Sequence, residues 1–338
     1  MEANSTRQKI LRQTKAILPW FLCLAIFVYL FNKVPMDEIR FGLTQLHWGA
    51  FVLFSFLYFL VILYGDCVGL HYFFKRFVAP VSYSEVVHVR GASFLLSIVN
   101  YLLGQAALAY YVKKQYHASL AKALGVVSFV TVMDLLLVFT SGLLGLSATG
   151  RYGSSLVLKM AVGLMWLAFA GWAFFWRQLS ACNLARLDRF PFFHKIFSHS
   201  IFLIFREASL KDYMVLFFTR LPVLLVVLSS VNLAFLAFGA MLPWEAVYLY
   251  HPIVLLVSSV PITPAGLGTS QMLMMQFFGD ILILPPALAQ NVTPVHLVFI
   301  ASLMWNLANQ IFKAAFGGFA LYKSKSLRWL ENSQNFDK

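Results

Sequence analysis

Between Ala16 and Leu321 one apolar run follows another, with no long polar linker between them. A helix needs about 20 apolar residues to cross the hydrocarbon core of a bilayer. By that measure the segments 16–34, 48–70, 120–148, 154–176, 213–240 and 296–321 each predict a span. Two further apolar regions, 88–112 and 245–284, are interrupted near their centres. Only 12% of the 338 residues are charged, against roughly 25% in soluble domains. The expected fold is therefore an all-α polytopic integral membrane protein with about six full spans and two broken or re-entrant helical hairpins.

Charge sets the expected topology. The net charge of +13 comes from Lys and Arg gathered between apolar runs, as in cytoplasmic loops facing anionic lipid. Nothing in their spacing suggests a nucleic-acid-binding motif. Residues 1–15 form a basic N-terminus, and no small-x-small cleavage site follows the first apolar run. The membrane domain is expected over 16–322, with a short tail at 323–338. With the N-terminus inside, the second span returns Lys75, Arg76 and Arg90 to the cytoplasm. The basic segment 177–212 stays inside only if 88–112 enters and leaves on one face. Asn100 and Gly104 in S-I-V-N-Y-L-L-G-Q-A-A offer the break. The same parity test asks 245–284 to begin and end outside, as two spans or as one hairpin. A pair of broken elements entering from opposite faces is the pattern of an inverted repeat, and unwound backbone at membrane depth lines a cavity or lies buried in protein. Segment 36–47 reads as an interfacial amphipathic piece.

The break in 245–284 is V-P-I-T-P-A-G-L-G-T-S-Q, residues 260–271. Thr263 is a good N-cap and Pro264 suits the first helical position, which predicts a half-helix from Ala265 towards Phe278. Its N-terminus would offer free N–H groups to an anion such as a lipid phosphate. Gly266 and Gly268 allow close approach of backbone or headgroup, or simply tight helix packing. Asp134, Arg220 and Lys313 lie within predicted spans, where a charge costs about 2.5–3.5 kcal/mol and so faces a cavity or a partner, or, for Arg220 and Lys313, snorkels towards an interface. Arg90 stands at the mouth of the first broken region, where it can meet a phosphate or mark the cytoplasmic side.

Signals for catalysis are thin. His194 and His199 lack the spacing of a zinc helix, and no G-x-S-x-G or paired acidic motif occurs. Cys23, Cys67 and Cys182 suggest small apolar residues rather than a disulfide framework. No metal or cofactor is called for. The stretch R-F-P-F-F-H-K-I-F in 177–212 mixes bases with aromatics, as a segment lying on an anionic leaflet would, with a solvated loop as the alternative.

At these residues the chain resembles a family. The run T-P-A-G-L-G-T-S-Q, the earlier N-Y-L-L-G-Q-A-A, and Asp134 in V-M-D-L-L-L are similar to motifs of the lysylphosphatidylglycerol synthase transmembrane region, also called the flippase-like domain family. The likeness spans roughly residues 10–325. Gln271 stands where the family usually has Glu, Leu103 and Gln105 replace a common Pro and Glu, and Asn306 follows Trp305 where Arg is frequent. The aminoacyl-transferase domain of the synthases is not found in the sequence. The resemblance implies translocation of a phospholipid or lipid-linked glycan between leaflets and argues against lysyl transfer by this chain alone. Together with the charge pattern, the expectation is a non-enzymatic protein of the cytoplasmic (inner) membrane with both termini cytoplasmic. The implied substrate is a lipid with an anionic phosphate headgroup, and the expected binding residues are Arg90, Asn100, Gly104, Gln105, Asp134, Arg220, Thr263, Pro264, Gly266, Gly268, Gln271 and Lys313. A separate lipid-synthesis or glycosyltransferase partner, and a homo-oligomer, are compatible with this reading. The rival readings are a membrane-embedded enzyme on a lipid-linked substrate and an accessory subunit of a separate synthase.

Overall fold

A computed structural model of the chain describes residues 19–148, 155–181, 203–259 and 262–323. The expected basic N-terminus, the centre of the 177–212 segment with His194 and His199, and the C-terminal tail lie outside these residues. The described residues form helices and no strand, apart from one isolated bridge between Met241 and Ile283. The elements are α1 (Pro19–Lys33), α2 (Met36–Thr44), α3 (Trp48–Phe77), α4 (Tyr83–Val99), α5 (Tyr101–Tyr116), α6 (Leu120–Ala148) and α7 (Ser155–Ala181). After them come α8 (Leu203–Glu207), α9 (Leu210–Leu236), α10 (Trp244–Ser259), a 3₁₀ turn at Pro264–Gly266, α11 (Thr269–Phe278), α12 (Pro286–Ala289) and α13 (Pro294–Lys323).

The described residues of all six segments expected as spans are mainly helical. Four of them, α3, α6, α9 and α13, are long and apolar enough to cross a membrane. The first expected span, α1, qualifies only together with α2, from which it is bent by 86°. The fourth holds a shorter apolar helix at Lys159–Phe174. The expected count of six full spans is therefore not reached on length and composition. Leu167, Phe218 and Ile311 are each more than 60% exposed, an outer surface that suits lipid rather than water.

Both broken regions fold as helical hairpins. Ser82 caps α4 in a reciprocal capping box with Glu85, and the helix stops at Asn100. There the extended backbone (φ −155°, ψ 128°) reverses direction, and Asn100 Oδ1 accepts the Leu102 N–H at 2.8 Å to start α5. Three contacts along the hairpin hold α4 and α5 antiparallel. Tyr116 donates to Glu85 at the open end, Arg90 meets Gln105 midway, and Gly104 lies against Ser93 and Ser97 near the tip. In the second hairpin α10 runs in, the chain breaks, and α11 returns with Phe277 stacked on Tyr250 at 5.1 Å. The reciprocal Met241–Ile283 backbone bonds close its base. With 10 residues, α11 is only ~15 Å long, half the thickness that a span must cover. That length favours a hairpin over the alternative of two ordinary spans.

Helix contacts repeat in a second way. α3 packs on α9. α4 packs along α13, and α10 along α6; α4 pairs with α5, and α10 with α11; α5 lies on α6, and α11 on α13. α3 also touches α4, α6 and α13, just as α9 touches α10, α13 and α6. Exchanging α3, α4, α5 and α6 with α9, α10, α11 and α13 leaves this pattern unchanged. Glycine makes both crossed interfaces close. A Cβ on Gly317 of α13 would lie 2.9 Å from the Gly91 carbonyl oxygen of α4, and one on Gly145 of α6 would lie 2.6 Å from Leu249 Cα of α10.

Candidate functional site

Four charges meet between α3, α4, α6 and α9. Asp66 of α3 takes Arg90 of α4 on one oxygen (Nε–Oδ2 2.5 Å) and Arg220 of α9 on the other. The Arg90 contact is an ion pair without a well-aimed N–H, because Nε has no hydrogen-bond partner of good geometry. Arg220 then grips Asp134 of α6 with two bonds, Nε–Oδ1 at 2.6 Å and Nη2–Oδ2 at 2.9 Å. Arg90 Nη1 also donates to Gln105 of α5 at 3.3 Å. Two cations and two anions thus cancel. Asp66, Arg90 and Arg220 have side chains under 10% exposed, while Asp134 is 28% exposed and reaches towards the surface. A fork-shaped guanidinium suits this double duty, since its N–H groups lie in one plane and fit carboxylates in pairs.

The counterpart place holds a cavity instead. It has a volume of about 240 Å³ and lies between α3, α9, α10, α11 and α13. These are the helices that the exchange described above puts in place of α9, α3, α4, α5 and α6, which carry the four charges and Gln105. Its polar lining is almost neutral, with Ser230, His251, Ser258, Gln271, Asn309 and Gln310 among the groups, and Lys313 is its only cation. No carboxylate pairs with Lys313 among the described residues. Its ammonium lies 5.8 Å from the centroid of the Phe94 ring, and the Arg90 guanidinium lies 5.1 Å from the same centroid. Phe94, 5% exposed, is thus shared by the cation of the cavity and a cation of the ionic cluster.

The broken stretch borders this cavity. The helix after the break starts at Thr269, four residues later than expected. Pro264–Gly266 instead make a 3₁₀ turn, Thr263 has no side-chain capping bond, and its hydroxyl contacts that of Thr269 at 3.1 Å. Gly268 takes the capping place with φ 85°, and Gly266 has φ 68°, a region where glycine is the favoured residue. Gln271 reaches back so that its Oε1 accepts the Gly268 N–H at 2.6 Å. A Gln can do this as well as a Glu, which gives the substituted position a structural task. The N–H groups of Gly266, Leu267 and Gly268 are all bonded within the turn. Ser258 and Ile26 are the close neighbours of Gly266 and Gly268 respectively.

Of the twelve expected residues, Arg90, Gln105, Asp134 and Arg220 come together in the ionic cluster. Asn100 and Gly104 shape the first hairpin. Gln271 and Lys313 line the cavity, and Thr263, Pro264, Gly266 and Gly268 form the turn beside it. Sequence reasoning missed Asp66, although a lone acid in the run 48–70 fits the argument applied to Asp134. It also missed the polar stripe Ser302, Asn306, Asn309 and Lys313 on α13, whose spacing of three and four residues puts all four on one helix face.

A second, larger crevice of about 750 Å³ opens between α6, α7, α9 and α10, lined mainly by apolar groups such as Leu137, Trp166, Phe217 and Leu228. Helices of spanning length, two helical hairpins and a polar cavity among them define a polytopic membrane protein with an internal polar site. More narrowly, residues 16–317 match the model of the lysylphosphatidylglycerol synthase TM region, and the chain belongs to that family. No curated protein matches it.

Proposed function

We propose that this protein is a carrier rather than an enzyme, and that it moves a phospholipid or lipid-linked glycolipid between the leaflets of the inner membrane. The observation that carries the reading is the neutral polar cavity with one unpaired cation, at the break of a hairpin that reaches only partway through the protein. Such a cavity suits a polar headgroup at membrane depth, while the apolar crevice and the outer helix faces suit acyl chains. In this reading α4–α5 and α10–α11 are re-entrant and enter from opposite faces as an inverted repeat, with both termini cytoplasmic. The ionic cluster then closes the half of the path whose counterpart is open. A broken pair of helices near the midplane is a common setting for a transport site.

The test is leaflet exchange of labelled anionic and zwitterionic lipids in proteoliposomes. Accelerated exchange over protein-free vesicles supports translocation; no acceleration of any lipid by folded protein rejects it for those lipids. The family's description, which ties this region to a synthase, favours a second reading as an accessory subunit or enzyme of lipid or envelope modification. Co-purification with a synthase by a chain inert in exchange would favour the accessory role, and a covalent lipid product from the purified chain the enzyme.

A further inference from the structure

We infer that the cavity selects phosphate-bearing headgroups that also carry O–H or N–H donors, and that it discriminates against headgroups without them. This rests on the reading of the cavity as a headgroup site. The hydrogen bonds of its lining carry the argument. Asn309 donates one amide N–H to the Trp305 carbonyl at 2.8 Å, which fixes the orientation of the amide, and its Oδ1 is buried without a partner. Gln310 donates Nε2 to Asn306 Oδ1 at 3.2 Å, and its Oε1 is likewise left alone. The His251 Nδ1 lies 2.9 Å from the Leu228 carbonyl. A carbonyl only accepts, so Nδ1 carries the proton and Nε2 is the ring's free acceptor when the imidazole is neutral. Ser258 Oγ, which can donate or accept, has no partner either.

The lining therefore holds two buried amide oxygens and an imidazole nitrogen that can each take a donor, beside one cation. A quaternary ammonium has no N–H or O–H to give them, and a bare phosphomonoester offers at most its own acidic proton. A headgroup with a phosphate for Lys313 and hydroxyls or a primary ammonium for Asn309, Gln310 and His251 meets both demands. Buried acceptors left unpaired weaken binding, so the difference falls on affinity.

The experiment titrates the full-length protein in detergent with short-chain phosphatidylglycerol, phosphatidylethanolamine, phosphatidylcholine and phosphatidic acid, read by fluorescence change and by calorimetry. The first two are expected to bind about ten-fold more tightly than the last two, as one good hydrogen bond supplies. Asn309→Leu should remove most of that difference. Gln310→Met, which keeps the shape of its side chain, repeats the test if Asn309→Leu fails to fold. Lys313→Met should weaken all four lipids alike. Equal affinity for phosphatidylcholine and phosphatidylglycerol overturns the inference, as does a preference that survives both amide substitutions. Absence of any binding overturns it together with the headgroup site. If the predicted order holds but no lipid changes leaflet, translocation falls and the selectivity stands. Exchange that is fast and blind to headgroup gives the reverse result.

Discussion

Replacing Asp66 by Asn tests the ionic cluster where it is most exposed to failure. Among the described residues Asp66 is the only carboxylate paired with Arg90 and one of two paired with Arg220, and its side chain is 7% exposed. The substitution keeps the shape and removes the shared negative charge. Two cations then remain in the protein interior against Asp134 alone, and Arg90 keeps only neutral partners such as the amide oxygen of Gln105 and the ring of Phe94. Breaking a buried pair from one side costs about 3–5 kcal/mol, because the partner charge is left uncompensated. That corresponds to about two to three and a half decades in the folding equilibrium. Asp134→Asn should cost clearly less, since its side chain is 28% exposed and Arg220 retains Asp66. The assay is unfolding in mixed detergent micelles, followed by helical circular dichroism for wild type and both variants. An Asp66→Asn loss below about 1 kcal/mol, or one no larger than that of Asp134→Asn, would refute the claim that Asp66 is the centre of the cluster.

Three further substitutions probe the hairpins. A Cβ at Gly104 would sit 2.6 Å from Ser97 Cβ, so Gly104→Val should splay α4 from α5 and lower unfolding stability by about 1–3 kcal/mol or more; a neutral result would mean the tip is not tightly packed. Gly266→Ala meets Ser258 Cβ at 3.0 Å and a positive φ, and should cost about 1–2 kcal/mol in the same assay, whereas an unchanged midpoint would count against the left-handed turn. Gln271→Leu strips the buried Gly268 N–H of its acceptor and should cost about 1–3 kcal/mol, with faster amide exchange at 268–271. Unaltered exchange there would show that the reach-back bond does not hold the helix start.

Much of the architecture can be read from the chain because bilayer thickness is a strict ruler. Runs such as 48–70 and 213–240 become helices since nothing else satisfies their backbone in lipid. Asn100 was legible as a break because an Asn at a helix start supplies its own cap. The second break was only half legible. Thr263 and Pro264 look like an N-cap and first turn, yet two glycines with positive φ and the Gln271 side chain move the helix start to Thr269. The ionic cluster was legible as isolated charges but not as a set. Asp66 and Arg220 are 154 residues apart, and only the packing of α3 on α9 brings them together. The cavity was the least visible part, because its free acceptors depend on how local bonds on α13, such as Asn309 to Trp305, orient the side-chain amides. The two broken elements pointed to a repeat, but the exchange pattern of the eight helices needs tertiary contacts to be seen.

The most direct test of the central claim is to plug the cavity. Ser302 lines it and is 8% exposed, so Ser302→Trp fills much of its space and leaves the ionic cluster untouched. Ser302→Ala serves as the control that keeps the space open. Leaflet exchange of labelled phosphatidylglycerol is then measured in proteoliposomes of equal, folded protein content. The account predicts exchange with wild type and Ser302→Ala, and exchange reduced to the protein-free rate with Ser302→Trp. Undiminished exchange with the cavity plugged would contradict it, because the headgroup would then cross by a route that does not include this site.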